Sequence, residues 1–292
     1  MLIGFIGDVH GQVFHAIALA VSWQVVTGKQ LDLLIQVGDM GAFPDISRVD
    51  AATERYMALD PSQMDFMRLL GSVDSLAESL RQVRQQLASP IYFVRGNHED
   101  FEYLGQLHVD ETLTAPVDTF DLLRYVPDGT VLQFDGVRVA FLGGVEEHSD
   151  TRAIDKEAYK RLMSLGPGEI DVLVTHEGPY GTSIGYQGDI HGSKLMTGLI
   201  ERSQPHFHIA GHAHQLSGPT TFGRTTYLGL DGLAHSARWY PEKNGFKEGC
   251  MGVLDTAIGS LQPVTDLWLS SFNTKSFDFD SWFESAASRK DG

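Results

Sequence analysis

Six short apolar runs punctuate the chain: Leu2 to Ile6, Leu31 to Val37, Ile91 to Val94, Val137 to Leu142, Val172 to Val174 and Phe207 to Ala210. Their length and β-branched content predict buried strands. Between them the pattern becomes helical. A first helix is expected from about Val13 to Val26, stopped by Gly28 as a C-terminal cap. Leu76, Leu80, Val83 and Leu87 mark one face of a second, ended by Ser89-Pro90. A third runs from about Asp155 to Leu165 and meets Gly166, and a fourth, Lys194 to Glu201, stops before Pro205. Strands alternating with helices predict a layered α/β architecture. From Thr225 onward short strands and turns dominate, which fits a second sheet completing one domain over residues 1–270. Residues 41–72, punctuated by Pro44 and Pro61, read as a helical insertion. The tail, 271–292, carries Phe272, Phe277, Phe279, Trp282 and Phe283 among polar residues. It is expected to dock on the chain's own core, with an oligomer contact as the alternative.

Composition narrows the class. With 42% hydrophobic and 21% charged residues over 292 positions, a disordered chain is excluded. No stretch approaches the roughly 18 unbroken apolar residues of a membrane span. The first residues carry no basic leader, so a cytoplasmic location is expected. A single cysteine, Cys250, cannot form an internal disulfide and reads as a small packed thiol. The formal charge of −16 disfavours long polyanions as partners unless metals or a local basic patch compensate. Twelve histidines are the unusual feature, and their positions matter more than their number.

Five polar clusters follow predicted strands: Gly7-Asp8-Val9-His10-Gly11, Gly38-Asp39-Met40, Gly96-Asn97-His98-Glu99, Thr175-His176-Glu177-Gly178-Pro179 and Gly211-His212-Ala213-His214. Strand ends in such sheets converge on a crevice where ligands bind. Carboxylate, imidazole and amide oxygen together suit divalent Mn, Fe, Co, Ni or Zn. Singly, each cluster reads as a turn or a surface histidine pair. Five in this order point to a two-metal site.

These motifs resemble the calcineurin-like metallophosphoesterases, over residues 1 to about 230. The resemblance implies a four-layer α-β-β-α sandwich with two mixed β-sheets. It implies that Asp8, His10 and His214 hold one metal, that Asn97, His176 and His212 hold the other, and that Asp39 bridges them. His98 would stand beside the substrate without binding metal. Two cations about 3.5–4 Å apart polarise a phosphoryl group and acidify a shared water, so the expected nucleophile is a bridging hydroxide. His98, titrating near neutrality, would protonate the leaving oxygen.

Subfamily signals diverge. Asp8-Val-His-Gly-Gln12 and Val94-Arg-Gly-Asn-His-Glu99 are similar to the protein phosphatase branch, yet Gly38-Asp-Met-Gly lacks that branch's phosphate-binding arginine. Thr175-His-Glu-Gly-Pro179 and Gly211-His-Ala-His214 resemble the phosphodiesterase branches. Arg95 is a candidate phosphate contact, with a structural ion pair as the alternative. His148, after Gly143-Gly144, and His191, within the glycine-rich stretch 181–192, are candidate substrate contacts; that stretch reads as a loop over the site or as plain surface. His15, within the first helix, is expected to be a satisfied or an exposed side chain, and His206 and His208, which alternate along a strand, are expected to be structural. The expected function is phosphodiester hydrolysis with two divalent ions, manganese foremost. The partner is a small phosphate ester, possibly a nucleotide. Alternatives are a nuclease acting on DNA or RNA ends, a phosphomonoesterase or protein phosphatase, and a metal-stabilised binding protein. A C–N hydrolase is set aside because its compact His-x-His-x-Asp-His motif is absent.

Overall fold

The structure, a computed structural model, describes residues 1–146, 150–184 and 188–288. Its strands are β1 (Leu2–Ile6), β2 (Leu33–Gln36), β3 (Ile91–Phe93), β4 (Ala115–Pro116), β5 (Leu123–Tyr125), β6 (Thr130–Phe134), β7 (Val137–Leu142) and β8 (Val172–Thr175). They continue with β9 (Ser183–Ile184), β10 (Ile190–His191), β11 (Phe207–Ala210), β12 (Ser217–Phe222), β13 (Thr225–Gly229), β14 (Met251–Asp255) and β15 (Ser260–Pro263). One sheet runs β15-β14-β1-β2-β3-β5-β4 and the other β12-β13-β11-β8-β7-β6. Both are mixed. β1, β2, β3 and β5 are parallel, as are β7, β8, β11 and β13, while the edges pair antiparallel.

Period-2 alternation assigns each strand's two faces. Ile3 and Phe5 of β1, Val139 and Phe141 of β7, Val172 and Val174 of β8 and Ile209 of β11 meet between the sheets. The outward residues Ala140, Leu142 and Leu173 pack under α6 (Lys156–Met163) and α7 (Lys194–Ser203). Ile6, Leu34 and Phe93 face the opposite layer, built around α1 (Val13–Thr27). Helices therefore cover both outer faces, giving four layers. Apolar residues surround α1 on nearly every side, because α3 (Asp65–Leu70) and α9 (Phe279–Ser288) cover the flank turned away from the sheet. Gly28 caps it with φ 66°, a left-handed conformation that glycine adopts without steric cost.

The 41–72 stretch is helical, holding α2 (Ala51–Met57) and α3, each preceded by a short 3₁₀ turn. It clasps the chain after the first motif: Gln12 Nε2 donates to Asp60 and Ser62 at 2.9 Å, and Phe66 N donates to Gly11 O. The remaining helices are α4 (Asp74–Arg84), α5 (Phe101–Gln106) and α8 (Trp268–Ser271). The tail packs inward, with Phe279 and Phe283 buried in the main core and the Phe279 ring 4.9 Å from that of Phe14. Phe279→Ala is expected to cost about 3–5 kcal/mol, as large-to-small changes in cores do. Urea denaturation checks this, and a loss below about 1 kcal/mol would place the tail outside the cooperative unit.

Candidate metal centre

All five clusters sit at carboxyl ends of parallel strands, where two sheets open onto one crevice. Asp8 and His10 follow β1, Asp39 follows β2, Asn97 and His98 follow β3, His176 follows β8, and His212 and His214 follow β11. Chain segments 204 positions apart touch there. Asp8, His10, Asp39 and His214 offer donor atoms within 4.8 Å of one another, as do Asp39, His176 and His212. The two groups share Asp39. Asn97 joins the second group, its Oδ1 3.0 Å from His176 Nε2.

The backbone holds these donors tightly. Asp39 Oδ1 accepts from the amides of Asn97 and His98, each at 2.7 Å, while Asp39 O accepts from the amides of Val9 and His10. Both oxygens of Asp8 accept from His212 N. Glycines admit these carboxylates: a Cβ on Gly96 would stand 2.0 Å from Asp39 Oδ1, and one on Gly211 2.2 Å from Asp8 Oδ1. His10, Asp39, His212 and His214 all lie in the left-handed region, with φ between 47 and 66°. That backbone turns each side chain into the crevice and is unfavourable for residues bearing a Cβ.

The donor chemistry fits divalent cations. His176 Nδ1 lies 3.1 Å from Val37 O, which sets that nitrogen as the donor and leaves Nε2 facing Asn97 and Asp39. His10 Nε2 and His214 Nε2 stand 2.9 Å apart, with Asp8 Oδ2 2.8 Å from the latter. Two imidazole nitrogens and a carboxylate oxygen therefore converge on one spot. Burial opposes ionisation of Asp39, but His176, His10 and His98 around it hold the carboxyl well below its usual range. Asp8 is likewise opposed by burial and lowered by His214. Burial pushes His10 and His212 down to about 4, so both present free lone pairs at neutral pH. His176 moves the other way: burial disfavours its charge, yet Asp39 and Asp8 lift it to about 9.

His98 is half-buried and makes no part of either donor group. Its Nδ1 lies 2.6 Å from Asp50 Oδ2, while Asp50 Oδ1 caps α2 by accepting from Thr53 N. Burial works against its protonation, but Asp50 and Asp39 outweigh this and raise its affinity for the proton. Asp50 in turn falls to about 2; burial opposes ionisation and the His98 bond overcomes it. The sequence carried only an ambiguous sign of Asp50, an N-cap residue before a helix. Glu99 had no role assigned from sequence. It is buried and accepts from the amides of Met40, Ala42 and Gly96, tying the second motif to the third.

Arg95 is buried with its guanidinium bound by Asp128 Oδ2 at 2.6 Å and the carbonyls of Thr151 and Ala153. Its donors fasten the segment after β7. His191 lies exposed in β10, paired across from Ser183. His148 lies outside the described residues. His15 is fully buried and binds Thr274 O at 2.9 Å, joining α1 to the tail. His208 is buried against Thr175 Oγ1 at 2.7 Å, and His206 pairs with Asp171 and Arg224. Burial raises the Cys250 thiol, leaving it inert. No described helix is long and apolar enough to cross a membrane.

Comparison with known proteins agrees with this architecture. Two Caenorhabditis elegans proteins, both described as UPF0046 proteins, are 34% identical over 146 and 83 residues. These matches cover 46% and 25% of this chain, and only 49% and 28% of the relatives' own lengths. Among solved structures, TT1561 of Thermus thermophilus superposes with a TM-score of 0.51 at 14% identity, covering 90% of this chain and 98% of that one. A second superposes at 0.53 and 15% identity, with the same coverage. Likeness at that identity concerns the fold. Residues 1–216 match the calcineurin-like phosphoesterases, a family that implies a binuclear divalent metal centre and hydrolysis of phosphate esters. On that match over most of its length, this chain belongs to the calcineurin-like phosphoesterase family.

Proposed function

We propose that the protein hydrolyses small phosphodiesters, nucleotide esters among them. Asp8, His10 and His214 would hold one divalent ion, Asn97, His176 and His212 a second, and Asp39 would face both. Such ions, when bound, polarise the phosphoryl oxygens and acidify water. His98 then supplies the proton that the departing oxygen needs, and Asp50 orients its ring through Nδ1. That bond leaves Nε2 as the nitrogen that meets the leaving group.

The guanidinium of Arg95, each of whose three nitrogens already has a partner, carries the preference for diesters. A monoester dianion brings two negative charges, and its terminal oxygens are best matched by an arginine fork. Among the described residues, no arginine hydrogen-bonds or ion-pairs with the clustered donors. A diester brings one charge and a second organic arm, which asks less of the surroundings.

The test is the Mn²⁺-loaded protein on matched mono- and diesters of one alcohol, and on dinucleotides against long DNA. Diesters should turn over faster, and kcat/KM should change only a few-fold between about 50 and 200 mM salt. Six to ten phosphate contacts would instead lose about 10³–10⁵ in affinity. Salt-steep binding of polynucleotides, with faster cleavage than of dinucleotides, would replace this reading with a nuclease.

A further inference from the structure

We propose that Trp239, backed by Arg238 and Tyr56, is a stacking platform for a flat aromatic group of the phosphoester, a nucleobase in its biological form. This deepens the phosphodiesterase reading and rests on it for where the phosphate lies.

The chain's path places the platform. Leu233 N donates to Asp8 O at 2.9 Å, and Lys247 N returns to Leu233 O at 3.1 Å, so residues 233–247 form a loop rooted at the first donor group. The tip of that loop reaches α2, where Trp239 Nε1 meets Tyr56 Oη at 3.2 Å. The Arg238 guanidinium lies 5.1 Å from the Trp239 ring and 6.0 Å from that of Tyr56. Helix α2 is capped by Asp50, which holds His98. Tyr56 is six residues further on, about 9 Å at helical rise, roughly the span of a sugar and base. One wall is thus rooted at Asp8 and the other at His98, and they join at Trp239.

The chemistry of the junction is that of a binding surface. Trp239 is 59% exposed, although large aromatic rings are usually withdrawn from water. Eight described arginines have a carboxylate within 4.0 Å, while Arg55, Arg161, Arg202 and Arg224 share with Arg238 the lack of one. Arg238 has none among the described residues, in a chain where acids outnumber bases 38 to 22. Lys243 lies over Tyr240 at 4.7 Å, adding a second cation on an aromatic face. Aromatic faces with adjoining cations hold bases by stacking while favouring the attached phosphate.

Two diesters sharing one leaving group test this: thymidine 5′-(p-nitrophenyl phosphate) and methyl p-nitrophenyl phosphate. The Mn²⁺-loaded wild type should prefer the thymidine ester by about 10-fold or more in kcat/KM, through KM, the scale of one base stacked on one ring. Trp239→Ala should lose that preference and keep its rate on the methyl ester, while Trp239→Phe retains most of it. Absence of preference in the wild type, or an equal loss on both esters, would overturn the platform. Should neither diester turn over, the phosphodiesterase reading fails separately, and binding decides. Thymidine 5′-monophosphate must then quench tryptophan emission in wild type and not in Trp239→Phe; identical responses would overturn the proposal.

Discussion

Asp39→Asn should abolish hydrolysis and lower the content of both metals, as read by elemental analysis beside a rate assay. Asp39 is the one residue common to both donor groups, and the imidazoles around it hold its carboxyl ionised. An amide keeps one oxygen for the Asn97 and His98 backbone donors but removes the negative charge that would face two cations. The variant should therefore keep its fold and its far-UV circular dichroism while losing the ions. Retention of one metal with full activity would refute a shared role for Asp39.

His98→Ala should keep both metals and lower turnover by about 10²–10⁴-fold, the usual scale of general acid catalysis. His98 lies outside both donor groups yet packs beside them, its ring 5.6 Å from that of His10. The loss should shrink toward a few-fold for nitrophenyl esters, whose leaving oxygen departs without a proton. An equal loss for good and poor leaving groups would mean that His98 orients the phosphate instead. Asp50→Asn should follow the same dependence on leaving group with a smaller loss, because it acts through the ring it holds.

Strands β1, β7 and β11 were legible to the residue, because closed apolar runs bounded by glycine or polar residues leave little choice of register. β12 was not: Ser-Gly-Pro-Thr-Thr-Phe is an exposed edge strand whose pairing with β13 comes from tertiary context. The donor clusters were visible because each ligand type stands directly after a strand. What surrounds them was not. Asp50 meets His98 across 48 positions, and Arg95 meets Asp128 across 33, so neither partner leaves a local trace.

Four of the donors stand on backbone that would suit glycine better, at about 1–2 kcal/mol of conformational penalty each. A chain shaped only to remain folded would gain stability by surrendering those side chains one at a time. The crevice is thus a place where durability and competence pull apart. Any engineering campaign that ranks variants of this protein by melting temperature alone should expect its winners to include enzymes that have quietly lost their ions.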